Sequence, residues 1–344
     1  MSSTVPAAAA RPDSEVSAVP PEQSSVTSTE KNPATPDHSE ANPEHAETAQ
    51  VPADRASGED SESENGAVAF VSDSQTFRRA FRDMRDGFGQ RELWLSLGWQ
   101  DIKQRYRRSV LGPFWITIAT GVQAAAMGIL YATLLGQPLR EYLPYVTVGL
   151  IVWNVIQASI LEGSDVFIAN EGLIKQLPSA LSVHIYRLVW RQLLFFAHNL
   201  VIYLLLLVGF GVWENLGWTS LLAIPAIGLI FLNSMWVSIL FGIFSTRYRD
   251  IAPILGSMTL MLFVLTPVMW TTKTLEDQIG GASERARLVE IIPTFHYLEI
   301  VRAPLLGEPQ ELRHWVIVGA ITVIGWIGAV LAMKQYRARV PYWV

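Results

Sequence analysis

The sequence predicts an all-α polytopic membrane protein with six transmembrane helices, an amphipathic interface helix before the first span and short re-entrant helices before the last. The first observation is a set of six windows without a charged residue, at 109–139, 142–161, 192–213, 215–246, 251–272 and 314–333. Each window is roughly 20 residues or longer, the length that a helix needs to cross a bilayer. The other two are the placement of Lys and Arg around these windows and a helical repeat of phenylalanines ahead of them.

Charge divides the 344 residues into an acidic N-terminal segment and a basic remainder. Residues 1–76 carry 14 acidic side chains against three basic ones, so the net charge of −5 comes from this segment. The segment is rich in Ala, Pro, Ser and Glu and cannot bury enough apolar surface to offset its ordering entropy. We therefore expect a disordered acidic cytoplasmic tail, amphipathic interface helices at 77–108, and a six-span transmembrane domain at 109–344.

The distribution of basic residues predicts how the chain is oriented. Lys and Arg cluster before the first window, between the second and third, after the fourth and after the sixth. Residues 212–218 contain none, and residues 136–144 contain only Arg140. Because cytoplasmic loops carry the excess of basic residues, we expect a multi-pass protein of the cytoplasmic (plasma) membrane with both termini in the cytoplasm.

A helical repeat precedes the first window. Phe77, Phe81, Met84 and Phe88 share one face of a helix whose other face carries arginines. This pattern is typical of a helix that lies in a membrane surface. One interpretation is anchoring to anionic membrane lipids. The other is a mechanical interface helix, continued by residues 93–106, that leads substrate toward the core.

Prolines mark the boundaries of the later windows. As one helix, window 215–246 would be about 48 Å long, more than the roughly 30 Å core of a bilayer, so Pro225 is predicted to begin or kink the span. Pro267 is predicted to end or bend the helix of window 251–272. Residues 273–313 mix charges with short apolar runs, which suits re-entrant helices on the outer face.

The motifs of several function classes are absent from the sequence. It has no Gly-rich phosphate loop with its Lys, no His-Glu-x-x-His, no cysteine, and six scattered histidines. We therefore expect no ATPase site, no metal, no disulfide and no cofactor in this chain, and no nucleic-acid partner. The windows also lack the charged residues that mark ion-coupled transport.

Two groups of side chains are candidates for substrate contact. Arginines border the windows on the predicted cytoplasmic side and could bind a diphosphate headgroup, although positive-inside topology alone also explains them; they are Arg105, Arg107, Arg108, Arg187, Arg191, Arg247 and Arg249. Aromatic rings near the spans could let a sugar chain slide, although packing or lipid contact also explains them; they are Trp115, Tyr131, Trp153, Phe263 and Trp270.

The predicted cytoplasmic segment between the second and third windows contains a short helix at 170–178. It has turn residues at both ends and two opposite charges. The segment is longer than a plain connection requires, which indicates a docking element as well as a loop.

Residues 101–115 (DIKQRYRRSVLGPFW) resemble a motif of the permease subunits of ABC-2-type polysaccharide exporters, which move O-antigen, capsule, teichoic acid or galactan chains. Residues 170–187, 247–251 and 293–302 add to the resemblance, which covers 91–344. It implies the ABC-2 exporter fold, a second copy of the permease, and two copies of a separate subunit that binds Mg-ATP. The implied substrate is a polyprenyl-diphosphate-linked polysaccharide that passes between the two permeases.

The resemblance also implies roles for particular residues. Residues 93–108 would be the interface helix, and the first and fifth spans would line the conduit. The helix that couples to the ATPase would use Glu171, Leu173, Lys175, Leu177 and Pro178. Residues 288–306 would form the outer gate, with Pro293, Phe295, His296, Tyr297 and Arg302. The tail and residues 339–344 look like actinobacterial members that export lipid-linked galactan for the cell wall.

Alternatives of other kinds stay open. An O-antigen or teichoic acid exporter is the near alternative within the class, and an exporter of drugs or small lipids would share the fold but differ in conduit width. A membrane-embedded glycosyl- or acyltransferase would need carboxylates or a His at reaction distance, for which Glu276, Asp277 and Glu290 are the candidates on the predicted outer side.

Overall fold

The computed structural model describes residues 76–112, 114–177, 179–271 and 287–344, and these ranges contain helices and no strand. The all-α prediction is therefore confirmed. The predicted disordered tail up to residue 75, Pro178 of the predicted coupling helix, and the carboxylates Glu276 and Asp277 lie outside the described residues.

Eleven α-helices occur in these ranges. Before the first span lie α1 (Phe77–Gly89) and α2 (Arg91–Arg105). The helices that follow are α3 (Phe114–Leu135), α4 (Leu139–Ser164), α5 (Glu171–Gln176), α6 (Ser182–Gly209), α7 (Ala223–Arg247), α8 (Ile251–Leu265), α9 (Pro293–Leu306), α10 (Leu312–Tyr336) and α11 (Val340–Trp343). Short 3-10 helices lie at Ile168–Asn170, Val212–Asn215, Trp218–Leu222 and Arg287–Ile291.

Five helical segments in the described ranges are long and apolar enough to cross a membrane: α3, α4, α6, Trp218–Arg247 with α7, and α10. The fifth predicted span differs, because α8 has only 15 residues. At helical rise it is about 22 Å long, less than the roughly 30 Å core of a bilayer. The helix stops where Thr266 adopts extended backbone and Pro267 offers no N–H, which is the ending that Pro267 predicts.

The fourth span begins at the position that Pro225 indicates. The 3-10 helix Trp218–Leu222 precedes it, and α7 starts at Ala223. Pro225 thus lies in the first turn, where a missing N–H costs no intrahelical hydrogen bond. Helix α7 is shorter than its charge-free window because the first residues of that window form separate 3-10 helical turns.

Helix α4 lies at the centre of the bundle and packs against α3, α6, α7, α8 and α9. Its side chains Val146, Leu150 and Trp153 are at most 2% exposed. Small residues allow the closest approaches, since a Cβ added to Gly163 would lie 2.9 Å from Cα of Ser238 in α7. Close contact through small residues is a main source of helix association in a bilayer.

The amphipathic helix α1 has one face buried against the bundle and another that stays exposed. Ala80, Asp83 and Gly87 are buried, and the helix packs against α6 and α10. The phenylalanines of the predicted stripe stay 45%, 58% and 63% exposed, at Phe77, Phe81 and Phe88 respectively. The apolar stripe therefore remains available to a membrane surface, while a second face of small residues and one carboxylate docks the helix on the bundle.

Consecutive spans alternate in direction and give the bundle two distinct ends. The basic end carries α1, α2, α5 and α11. Helices α1, α2 and α11 pack on the adjoining ends of α6, α7 and α10, and α5 contacts α11. The far end carries the connections from α3 to α4, α6 to α7 and α9 to α10. There Gly307 ends α9 with φ 75°, and a Cβ on it would lie 2.1 Å from the carbonyl oxygen of Asn215, so this crossing requires glycine.

Candidate functional site

An ion-pair cluster at the basic end, called here the arginine network, joins α2, α4 and α6. Arg187 donates from Nε to Oδ2 of Asp101 over 2.8 Å, pairs through Nη2 with Oδ1, and donates from Nη1 to Oδ1 of Asn170 over 2.8 Å. Arg191 donates to Oδ2 of Asp101 over 3.0 Å and to Oε2 of Glu162 over 2.7 Å. Both guanidinium groups are therefore already bound within the chain.

Electrostatics stabilise the ionised form of the central carboxylate. Burial raises the pKa of Asp101, but the hydrogen bonds and charges of Arg187 and Arg191 outweigh this and hold the pKa below its usual value. The network thus remains charged at neutral pH and fastens the interface helix α2 to two spans.

The remaining candidate headgroup arginines lie in different surroundings. Arg105 places its guanidinium carbon 5.5 Å from the ring centroid of Phe195. Arg107 and Arg108 are exposed just after α2. Arg247 lies over the ring of Trp343, and Arg249 donates to the carbonyl oxygen of that residue over 3.4 Å. Within the described residues these five arginines make no ion pair, unlike the two of the arginine network.

The predicted coupling residues lie on the short helix α5 and just beyond it. Lys175 donates to Glu171 over 2.7 Å, and both side chains are about half exposed. Leu177 is 48% exposed, whereas Leu173 is half-buried. The hydrogen bond and charge of Lys175 lower the pKa of Glu171. Helix α5 and Leu177 thus present an exposed surface that is partly polar and partly apolar.

The candidate conduit aromatics do not lie along one surface of the chain. Trp115 on α3 is 57% exposed, whereas Trp153 on α4 is 2% exposed. The ring centroid of Trp153 lies 5.3 Å from that of Phe263 of α8 in a tilted arrangement, and Nε1 of Trp153 donates to Oε1 of Gln157. Tyr131 is half-buried on α3, so a conduit along α3 and α8 stays a prediction that one copy of the chain does not test.

The predicted gate helix α9 is a buried element. Arg302 is 0% exposed and donates from Nη1 to the carbonyl oxygen of Pro267 over 2.8 Å. Its guanidinium carbon lies 3.9 Å from the ring centroid of Tyr145 on α4. Thr294 and Thr266 bond to each other over 2.5 Å. Helix α9 therefore holds the broken end of α8 against the central helix.

Two histidines at the far end meet although 18 positions separate them. Nδ1 of His296 lies 2.7 Å from Nδ1 of His314, so one ring donates to the other. Nε2 of His296 lies 2.7 Å from the carbonyl oxygen of Glu290. Phe295 packs on both rings. The family resemblance assigned His296 to the outer gate, but no sequence pattern predicted its contact with His314.

A cavity of about 1220 Å³, called here the far-end cavity, opens between α4, α9 and the far-end connections. Its charged lining is mostly acidic, with two arginines, Arg140 and Arg313, and the carboxylates of Glu141, Glu214, Glu290, Glu299, Glu308 and Glu311. The stacked rings of Tyr142 and Tyr145 and the amide of Asn215 also line it. Carboxylates and amides beside aromatic rings can hydrogen-bond and stack on hydroxyl-rich groups. Sequence reasoning did not bring these residues together.

Of the three carboxylates suggested for transferase chemistry, the described residues include only Glu290. Glu290 accepts a hydrogen bond from Nη1 of Arg313 over 2.8 Å and is thus engaged in an ion pair. The other two candidates lie outside the described residues.

Comparison with known proteins agrees with the helical architecture. The chain is 24% identical over 198 residues to the O-antigen export system permease protein RfbA of Myxococcus xanthus, which covers 57% of this chain and 75% of that protein. It is 23% identical over 181 residues to the protein of the same name from Klebsiella pneumoniae, covering 53% of this chain and 70% of that protein. The model of the ABC-2 type transporter family matches residues 92–306, from α2 to the end of α9. Because this match extends over more than half of the chain, the protein is a multi-pass membrane protein of the ABC-2 type transporter family.

Proposed function

We propose that this chain is the permease subunit of an ATP-driven exporter of a polyprenyl-diphosphate-linked polysaccharide, with cell-wall galactan as the substrate. The observation that carries the polysaccharide-exporter part of the proposal is the similarity to two O-antigen export permeases over 70% and 75% of their lengths. The choice of galactan rests on the resemblance of the tail and residues 339–344 to actinobacterial galactan exporters. In this proposal the basic end faces the cytoplasm, in keeping with the excess of Lys and Arg there.

The proposed assembly contains two copies of the permease with the conduit between them. Support comes from α3 and α8, whose outward faces are poorly covered by the rest of the chain. Val122 and Leu134 of α3 are 64% and 72% exposed, and Leu260 and Val264 of α8 are 68% and 63% exposed. Lipid would cover such faces in a single permease, and a second copy would cover part of them in the assembly.

Each permease would dock one ATP-binding subunit, which holds Mg-ATP, on the surface around α5. The exposed ion pair of Glu171 and Lys175 and the exposed Leu177 offer a partner both charge complementarity and apolar contact. Movement of α5 would reach the bundle through Ile174, which packs against the hydrophobic core.

The diphosphate headgroup would bind to arginines that have no carboxylate partner in the described ranges. On this criterion Arg105, Arg107 and Arg108, at the start of the first span, are better candidates than Arg187 and Arg191, whose donors are used in the arginine network. At the other end, the far-end cavity would offer hydroxyl-binding groups to the sugar chain as it leaves past α9.

The docking step tests the proposal most simply. Full-length protein is captured from its native membrane, and co-purifying proteins are identified by mass spectrometry. We expect a P-loop ATPase in stoichiometric amount, and we expect Lys175→Glu with Leu177→Asp to abolish its capture, because both charge and apolar contact at the docking surface are lost. Glu308→Lys, a charge reversal at the exposed far end, is the matched control and should retain the ATPase.

The opposite results would count against the proposal in different ways. If intact wild-type protein captures no ATPase, the transferase alternative gains weight. If the double variant captures as much ATPase as the control, the partner docks elsewhere than α5.

A further inference from the structure

A second cavity lies at the basic end, where α7 meets the C-terminal residues, and has a volume of about 390 Å³. We call it the C-terminal pocket. Its walls are largely aromatic and its charged residues are two arginines: Phe244, Tyr248, Tyr336, Trp343, Arg247 and Arg339. Among the described residues that line it, none is a carboxylate. It is separate from the arginine network and from the candidate conduit residues on α3, α4 and α8, and it contains one of the candidate headgroup arginines, Arg247.

The two guanidinium groups of the pocket keep their hydrogen-bond donors free. Arg247 lies 5.2 Å from the ring centroid of Trp343 and 5.7 Å from that of Tyr248. A cation–π contact of this kind attracts the guanidinium group to the ring face without using its N–H donors. Within the described residues neither Arg247 nor Arg339 makes a side-chain hydrogen bond or an ion pair, whereas Arg337 nearby is paired with Asp83 over 3.1 Å.

The pocket is formed by a firmly packed segment. Val340 is 0% exposed and Val344 is 9% exposed, and both belong to the hydrophobic core of the bundle. The ring of Tyr336 lies 5.7 Å from that of Trp343 and 6.3 Å from that of Phe244. The aromatic walls are thus in place before a ligand binds, which limits the entropic cost of binding.

The position of the pocket along the spans indicates where its ligand comes from. Arg247 is the last residue of α7, and Tyr336 is the last residue of α10. Both spans end there, so the pocket lies at the level of lipid headgroups. Phe244, one turn earlier on α7, is 38% exposed and continues the apolar surface toward the bilayer. A lipid could place its headgroup in the pocket and its acyl chains along α7.

We propose that the C-terminal pocket binds the phosphate of an anionic membrane lipid, one lipid per permease chain. Basic pockets between spans bind anionic headgroups because guanidinium groups match phosphate in charge and geometry. The C-terminal end of a helix carries a partial negative charge that disfavours an anion, so binding depends on Arg247 and Arg339. This proposal does not depend on what the protein exports.

Native mass spectrometry of the full-length protein in detergent tests the proposal. The probes are phosphatidylglycerol, zwitterionic phosphatidylcholine and inorganic phosphate, each titrated separately. We expect one phosphatidylglycerol to bind tightly per chain, with phosphatidylcholine binding weakly. Each basic residue near an anionic headgroup contributes roughly fivefold in affinity, so Arg247→Gln with Arg339→Gln should weaken the tight site about 25-fold.

A matched variant separates this site from general attraction to anionic lipid. Arg78→Gln with Arg82→Gln removes the same charge from exposed positions on the surface helix α1 and should leave the tight site unchanged. Equal binding of phosphatidylcholine, or equal phosphatidylglycerol binding by the Arg247 and Arg339 variant, would overturn the proposal. So would inorganic phosphate that binds as tightly as the lipid, since the site would then take a free anion.

Discussion

The arginines at the basic end form two groups that the sequence does not separate. Arg187 and Arg191 are enclosed by carboxylates, and their charges join α2, α4 and α6. Arg247 and Arg339 also border spans but lie against aromatic rings without an ion pair in the described ranges. All four fit the positive-inside rule equally well. A basic residue at the end of a span therefore indicates topology only. Whether the residue stabilises the fold or can bind a ligand depends on the side chains that contact it.

The largest effect on stability is expected at Asp83, the buried carboxylate of α1 that pairs with a third arginine of the basic end, Arg337. It accepts hydrogen bonds from the backbone N–H groups of Leu181 and Ser182, over 3.2 and 3.0 Å, and pairs with Arg337. Asp83→Ala leaves two N–H groups at the start of α6 without an acceptor and should cost about 3 kcal/mol. Thermal unfolding in detergent measures it. Asp86→Ala, at an exposed site on the same helix, should be nearly silent, and an equal loss in both variants would contradict the account.

A smaller effect is expected where Arg302 contacts α4. A Cβ added to Gly149 would lie 2.3 Å from Nη2 of Arg302 and 2.9 Å from the carbonyl oxygen of Val268, so backbone must move. Gly149→Ala should therefore destabilise the protein by about 2 kcal/mol in the same unfolding assay. Gly319→Ala on α10 is the control, because its Cβ would meet nothing within 4 Å. A Gly149→Ala protein as stable as this control would show that α9 is not tightly held on α4.

The smallest effect on stability is expected in the arginine network, and it depends on pH. Asp101→Asn should cost about 1 kcal/mol at neutral pH, because the network is partly exposed. The folded pKa of Asp101 lies below its usual value near 3.8, so the stabilising contribution is present above that value and is lost as pH falls through the folded pKa.

Unfolding midpoints of wild type and Asp101→Asn, measured from pH 7 down to pH 3, check this dependence. The gap between the two proteins should stay constant down to about pH 4 and then shrink. A gap that widens as pH falls would mean that the carboxylate is not held in its charged form by Arg187 and Arg191.

Most of the helices could be predicted because local patterns specify them. The charge-free windows indicated the five long spans, Pro225 marked the start of α7, and Pro267 marked the end of α8. The amphipathic repeat indicated α1. The window count did not show that α8 is too short to cross the bilayer core, because the apolar run continues to residue 272 and only Pro267 marks the break in backbone conformation.

Most of the site could not be predicted because its contacts join residues far apart in sequence. Arg187 meets Asp101 across 86 positions, and Arg302 meets Pro267 across 35. The sequence alone does not distinguish a buried arginine such as Arg302 from an exposed one, because burial depends on contacts with distant residues. The far-end cavity combines carboxylates from several connections, and no periodic pattern relates them.

The central claim, ATP-driven export of a lipid-linked polysaccharide, is tested most directly in proteoliposomes that contain the permease and its captured ATPase. Polyprenyl-diphosphate-linked galactan is placed on the leaflet that faces the ATPase, and its exposure on the opposite leaflet is measured by digestion with an added galactan hydrolase. The account predicts that digestion requires ATP hydrolysis. Galactan that stays protected in the presence of ATP, with the ATPase bound and active, would contradict the account.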